Sequence, residues 1–338
     1  MDTPKWWQTS NSAIQALYDG ARKAEKRALC KTPGGRDVLA LAYGPRPRIA
    51  SQANYSSACG AHNRAYYAPL EGRTNTVVLI GAVHAQETEG VAAIANLISL
   101  LETGKDLAGG ENPGLLRAAE GLRVVLVPIA NPDGRARVEP DSMVGLSSAE
   151  LRHWGQGNWA DGSLCGWPEC KARHPMRGAG FLGGYFNDAG VNLMHDNFFH
   201  PMAAETQALL DLCAAEFASC VLQLHGGSNS ANDLLQPNYV PREVNEAVRA
   251  LALRCDARAR REGLWFTVRD LPGQPHGETP PSFNLVSALH HVCGAVSACF
   301  ESNEGLRDGN EPIWDCGQIL RSHMILFEET FKMFAARS

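Results

Sequence analysis

Thr76-Val77-Val78-Leu79-Ile80-Gly81-Ala82-Val83-His84-Ala85-Gln86-Glu87 is an apolar run that ends in a histidine and, three residues later, a glutamate. Val77, Val78, Leu79 and Ile80 make the short, mostly β-branched run expected of a strand buried on both faces. From Thr88 to Thr103 the spacing becomes helical, with Val91, Ile94, Leu97, Ile98 and Leu101 three or four residues apart. His84 and Glu87 therefore fall where a strand gives way to a helix, at the carboxyl edge of a sheet, where open α/β sheets bind ligands. An imidazole and a carboxylate so spaced can converge on one divalent metal, because zinc takes nitrogen and oxygen donors. The same pair can equally cap a helix or support another ligand, so a metal site needs further residues from elsewhere in the chain.

Working outward, Gly104 ends the helix, Leu107–Leu116 reads as loop, and Leu122–Ile129 is a second buried strand. Strand, helix and strand form the βαβ unit of a parallel sheet. Asn131-Pro132-Asp133-Gly134 follows and, on spacing alone, is a plain turn. A helical pattern over Ala203–Phe217 precedes a third strand, Val221–Leu224, which again ends in a histidine, His225. A fourth, Ala295–Phe300, ends in Glu301. A lone strand-end histidine is by default a core histidine; two of them with a carboxylate beside one suggest a site. Other helices are expected over Asn11–Lys26, around Val244–Ala259, from a Ser282 cap to His291, and over Ile313–Phe334. Thr32–Arg36 is a turn before a strand at Val38–Tyr43, and residues 44–75 read as a long loop with an edge strand. Residues 135–190 and 270–282 read as long loops walling an active site, the second of them a lid.

Composition narrows the class. The 338 residues are 44% hydrophobic and 20% charged, as suits one large α/β domain. A net charge of −5 and a pI near 6.1 leave no basic footprint for nucleic acid. No run is long and apolar enough for a membrane span. Met1–Lys26 lacks the basic-then-apolar order of a secretory signal, so a cytoplasmic protein is expected. The ten cysteines lie mostly in apolar segments and read as buried free thiols. For Cys165 and Cys170, in Cys-Gly-Trp-Pro-Glu-Cys, a local disulfide and a minor metal site both stay open.

Taken in order, His84-x-x-Glu87, Asn131–Gly134, Gly190-Val191-Asn192-Leu193, Leu224-His225 and Phe300-Glu301 resemble the motifs of the zinc carboxypeptidases, the M14 metallopeptidases. The Thr32–Arg36 turn is similar to a Gly-Arg turn of that family, and the likeness spans about residues 14–334. The resemblance implies a three-layer α/β/α fold with a central mixed, mostly parallel sheet, and one zinc ion held by His84, Glu87 and His225. It makes Glu301 the general base, ahead of Glu304, which reads as solvated or as a loop contact. Asn192 would stand behind the first zinc histidine. The implied activity is hydrolysis of a peptide or small amide, by a metallocarboxypeptidase or by a zinc amidohydrolase or deacylase of acylated amino acids; a non-catalytic metal-binding scaffold is a third reading.

The chain also departs from that pattern. Met194-His195 stands where the family has an Asn-Arg pair for the substrate carboxylate, and Gly155 stands where an oxyanion arginine is expected after Trp154. No tyrosine follows Tyr239 to serve as the lid tyrosine. His195, Arg152, Arg173 and Arg177 are the candidates for substrate binding in their place, although histidine is a weaker and pH-dependent partner for an anion than a bidentate guanidinium.

Overall fold

The computed structural model describes residues 3–48, 54–63, 74–166, 170, 174–227, 232–272, 280–309 and 313–335. Trp167, Arg173, Ser228, Asn229 and most of the expected 270–282 lid lie outside the described residues. The chain opens with Asn11–Gly20 (α1) and a hairpin of Glu25–Lys31 (β1) and Asp37–Tyr43 (β2), followed by Tyr55–Gly60 (α2). Thr76–Gly81 (β3), Glu89–Thr103 (α3), Pro113–Ala119 (α4) and Arg123–Val127 (β4) make the expected βαβ unit with one extra helix. Pro132–Arg137 (α5), Ser148–Gln156 (α6), Gly157–Trp159 (β5) and Ala179–Leu182 (β6) come next. The rest is Ala204–Ala215 (α7), Cys220–Gly226 (β7), Asp233–Leu235 (β8), Arg242–Ala259 (α8), Leu285–Cys293 (α9), Val296–Ser302 (β9) and Cys316–Phe334 (α10).

Seven strands form one sheet in the order β1-β2-β4-β3-β7-β9-β8. The four central strands β4, β3, β7 and β9 are mutually parallel, and antiparallel pairings join β2 to β4, β1 to β2 and β8 to β9. The sheet is thus mixed and mostly parallel, as expected. Alternate residues of the central strands feed two cores. Val77, Leu79, Val124, Leu126 and Leu222 pack under α3, α8 and α10, while Val78, Ile80, Val125, Val127 and Val221 pack under α7 and α9. Each of these fully buried side chains contributes roughly 1.5–3 kcal/mol relative to exposure, which locks the period-2 register. Among the described residues, no helix is long and apolar enough to cross a membrane.

The order β4-β3-β7 positions the site. From β3 the chain passes through α3 to β4 on one side, and later returns as β7 on the other. Connections therefore diverge at the carboxyl end of β3, which opens a crevice between the segments following β3 and β7. Asp133 braces that end: its buried carboxylate accepts from Thr32 Oγ1 (2.6 Å), Gly34 N (3.0 Å), Arg36 Nη1 (2.9 Å) and Asp188 N (3.2 Å). The β1–β2 turn is thereby tied to the segment leading into Asn192.

Several boundaries differ from the sequence reading. The expected helix over 11–26 stops at Gly20, because the Glu102 carboxylate takes the N–H groups of Arg22, Lys23 and Ala24 and releases the chain into β1. That makes β1 the edge strand; no strand occurs among the described residues of 44–75. Residues 107–116 are not all loop, since Asn112 caps α4 with Pro113 in its first turn. Asn131–Gly134 is more than a turn: Asn131 accepts from Gly134 N and caps α5. The stretch 135–190 carries α6 and the β5–β6 hairpin, started by a capping box at Ser147 and Glu150. Asn284, not Ser282, caps α9, and α10, capped by Asp315, begins at Cys316, three residues later than Ile313.

Two histidines sit deep in the helical layers. His290 on α9 and His323 on α10 are fully buried, with Nδ1 bonded to Ala295 O (2.8 Å) and Ile319 O (2.9 Å). Burial pushes both imidazoles down to about 4. The unfolded chain, with histidine near 6.5, therefore binds more protons between pH 6.5 and 4. Stability from these groups is complete above pH 6.5 and falls as pH drops through that window, by on the order of 3 kcal/mol per histidine. Urea unfolding of His323→Leu at pH 7 and pH 5 is expected to show about one proton less taken up on unfolding than the parent. An unchanged pH dependence would exclude His323 as a source of acid lability.

Candidate metal centre

At the carboxyl end of β3 the backbone turns through Ala82, which adopts φ +46°, a left-handed conformation costly for a residue with a Cβ. Ala82 is held there by Asn131 N donating to its carbonyl (3.0 Å), and the next turn by Ala85 N donating to Gly184 O (2.9 Å). The result brings His84 and Glu87 to face His225 from the adjacent β7. His84 Nδ1 lies 2.9 Å from Glu87 Oε1, and His225 Nδ1 lies 2.7 Å from Glu87 Oε2. The two imidazoles are 4.8 Å apart at 78°, and all three side chains are buried. Their donor atoms lie within 4.8 Å of one another.

The proton inventory shows what the trio fits. A neutral imidazole carries one N–H. If Nδ1 donated to Glu87 in both rings, each Nε2 would be a bare lone pair. Yet His84 Nε2 faces Asn192 Oδ1 at 3.3 Å and His225 Nε2 faces Gln223 Oε1 at 3.4 Å, and both oxygens are acceptors. Asn192 cannot be flipped without loss, since its Oδ1 also accepts Met194 N at 3.0 Å. A cation shared by the two Nδ1 lone pairs and the carboxylate resolves the conflict, because each Nε2–H then donates to its amide oxygen. Two imidazole nitrogens and a carboxylate suit zinc.

Glu301 is the register partner of His225 across the β7–β9 pair, so its side chain projects from the same face. His225, Cys299 and Glu301 also have their polar atoms within 4.8 Å of one another. Burial raises the Glu301 carboxyl to about 7, with the Glu87 charge adding and His225 opposing. Cys299 Sγ, two residues back on the same strand face, donates to Glu301 Oε1 at 3.4 Å. Burial would also raise Glu87, but the two imidazoles outweigh it and hold that carboxyl at about 2. Glu304 is neither solvated nor an exposed loop contact: it is fully buried and fills the space where a Cβ on Gly226 would come within 2.6 Å of its carboxyl.

The other expected residues do not join these clusters. His195 ends a 3₁₀ turn capped by Asn192 and is half-buried, whereas Met194 is buried. Arg152 and Arg177 are exposed; Arg152 Nε turns back to Ser148 O on its own helix, and neither arginine bonds to the clustered side chains. None of the ten cysteines is in a disulfide, and Cys165 and Cys170 are buried with Met176 and Phe186. Neither belongs to a metal-capable cluster among the described residues.

Four supports escaped the sequence. Gln223 and Cys299 each precede a site residue by two along a strand, a spacing that marks a shared face once the strand is known. Tyr185 stacks on His84 at 3.9 Å and 17°, and Gln86 donates to Glu87 Oε1 at 3.0 Å. Both pack around Gly155, where an added Cβ would come within 3.1 Å of Gln86 and 3.3 Å of Tyr185. The missing side chain at Gly155 thus makes room for a tyrosine.

The sequence profile of the zinc carboxypeptidases matches residues 21–261. The chain belongs to the zinc carboxypeptidase family. A metallo-carboxypeptidase from Burkholderia cenocepacia has the same fold, with a TM-score of 0.58 and 15% identity over 96% of this chain and 69% of that one. A metallo-carboxypeptidase from Pseudomonas aeruginosa, solved with (2-guanidinoethylmercapto)succinic acid, gives 0.56 and 16% over 95% and 68%. Bovine thrombin-activatable fibrinolysis inhibitor, solved with tick carboxypeptidase inhibitor, gives 0.53 and 12% over 98% and 99%. No curated protein matches the sequence.

The family is zinc-dependent, and the proton inventory yields a test of where zinc binds. Asn192→Leu and Gln223→Leu are each expected to weaken zinc binding by roughly 10- to 100-fold, measured by competition with a chromogenic chelator. Unchanged affinity in both variants would mean that the ion lies elsewhere.

Proposed function

We propose that the chain is a zinc-dependent hydrolase of amide bonds, acting as a metallocarboxypeptidase, with His84, Glu87 and His225 holding the ion and Glu301 as general base and acid. The observation that carries this reading is the placement of Glu301 beside His225, on the same face as the trio and half-open to the crevice. Bound zinc would polarise the scissile carbonyl and lower the pKa of a water. Glu301 takes a proton from the attacking water and returns it to the leaving nitrogen, which needs a carboxyl that is a base first and an acid afterwards. Environments that raise a carboxyl toward neutrality suit that exchange. The Cys299 thiol, kept protonated by burial, holds the Glu301 carboxylate by its Oε1. Asn192 and Gln223 hold the two imidazoles in the tautomer that leaves Nδ1 free for the ion.

One observation favours a second reading. Met194 is buried where the family has the asparagine of its carboxylate-binding pair, and His195 replaces the arginine. A deacylase of small acylated amino acids would tolerate that change better than an enzyme gripping a peptide terminus through those two positions.

Zinc-loaded protein should hydrolyse peptides with free C-termini or N-acyl amino acids, and the comparison of free and C-terminally blocked peptides separates the two readings. Glu301→Gln is expected to retain stoichiometric zinc while kcat falls by at least ~10²–10⁴. Activity surviving in that variant would remove Glu301 from the mechanism, and a zinc-bound wild type inert toward every amide would favour the scaffold.

A further inference from the structure

The sheet register extends the site by one strand. His225 on β7 pairs with Glu301 on β9, and Glu301 in turn pairs with Asp233 on β8. Register partners project from the same face, so His225, Glu301 and Asp233 form one row across the active edge. Asp233 is nearly buried and holds an arginine: Arg269 Nε lies 2.8 Å from each of its oxygens, and Nη2 lies 2.5 Å from Oδ2. The arginine's own segment is fastened by Thr267 N donating to Asn232 O (3.0 Å) and by a bridge between Asp233 and Thr267. Arg269 remains 53% exposed, and its Nη1 has no partner among the described residues. Hydrogen bonding to Asp233 chiefly holds the guanidinium charged, and the field of Glu301 adds to that effect.

We infer that Arg269, aimed by Asp233, binds a carboxylate of the substrate, and that this chain therefore acts on amides carrying an anionic group on the β8 side of the scissile bond. The inference rests on the hydrolase reading above and names its substrate class. A surface ion pair alone would contribute little. This one differs in three respects. Its acid is nearly buried in the row that holds Glu301, its arginine is oriented by a two-pronged clamp, and more than half of the arginine side chain stays exposed. A guanidinium fixed in this way loses little freedom on taking a second carboxylate. Glu301 and Asp233 are register partners on adjacent strands, about 4.8 Å apart. An amide beside Glu301 and a carboxylate one or two residues farther on, at most about 7 Å away, can bridge that spacing. An anion approaching Glu301 and Asp233 without a facing cation would be repelled; Arg269 supplies the cation, whereas exposed Arg152 and Arg177 do not bond to this row.

The carboxylate can be a chain terminus or an acidic side chain, and three probes separate these sources: N-benzoylglycine, N-benzoylglycinamide, and N-benzoylaspartic acid α-amide, whose only charge is on its side chain. Calorimetric Kd values for zinc-loaded Glu301→Gln, with and without Arg269→Gln, read binding without turnover. KM and kcat of the zinc-loaded protein with and without Arg269→Gln read the reaction. Arg269→Gln is expected to weaken at least one carboxylate probe by roughly 10- to 100-fold and leave the amide probe unchanged. For charged substrates KM rises while kcat holds, and the probe affected identifies the source. Arg269→Lys keeps the charge and should restore part of the preference; if the glutamine variant does not fold, the lysine variant must still bind a carboxylate probe more tightly than the amide. Equal losses for charged and neutral probes, or no loss, would overturn the proposal. Arg269-dependent carboxylate binding without turnover of any substrate would sink the hydrolase reading and leave the anion site standing. Turnover without charge preference would do the reverse.

Discussion

A buried carboxylate between two imidazoles constrains everything around it. Glu87 lies in a low-dielectric interior, where an unpaired charge costs several kcal/mol. Its two oxygens each face an Nδ1, within 2.9 Å on one side and 2.7 Å on the other. The arrangement is stable only if β3 and β7 are adjacent and if the chain leaves β3 by the bend that turns His84 back over the sheet edge. The left-handed Ala82 belongs to that bend, and the hydrogen bonds from Asn131 and to Gly184 keep it there. Local strain is tolerated because the surrounding parallel ladder is rigid and fully buried.

Outside that trio, polar groups are arranged in pairs that decide proton positions. Asn192 and Gln223 take the outer nitrogens of the histidines, and Asn192 is itself anchored by the backbone it caps. Asp133 anchors the approach to Asn192 by collecting bonds from the β1–β2 turn and from Asp188. A motif that reads as a turn thus acts at a distance, through the backbone, on the tautomer of His84. Cys299 and Asp233 flank Glu301 along and across the sheet, one donating a hydrogen bond and the other carrying Arg269.

The departures from the family's motifs form a connected set. Gly155 has no side chain, which admits Gln86 and the Tyr185 ring that stacks on His84. Met194 is buried in the core that packs under α7 and α9. The cation at the active edge that is oriented by its partner, Arg269, comes from a different segment, joined to the sheet through β8. The clustered donors and the aspartate-held arginine belong to separate strands, so one can change while the other is kept.

How much was legible in advance follows from what periodicity records. The four central strands and the helices covering them were legible because apolar runs and three-to-four spacing report burial directly. His84, His225 and Glu301 stood out because each closes such a run, and Glu87 because it follows His84 by three residues. Hidden were the features that depend on partners far away in sequence: α1 ends where Glu102 takes its N–H groups, and Gln223 matters only because it shares a face with His225. Nothing near Arg269 announces it either, since its meaning comes from a register that sets Asp233 opposite Glu301. The sequence by itself determined the layers and the donor types, because hydrophobic spacing and side-chain chemistry are local properties. Only the tertiary structure decided which donors converge and which arginine is held in the strand row beside them, because hydrogen bonds and strand register join residues that no local pattern connects.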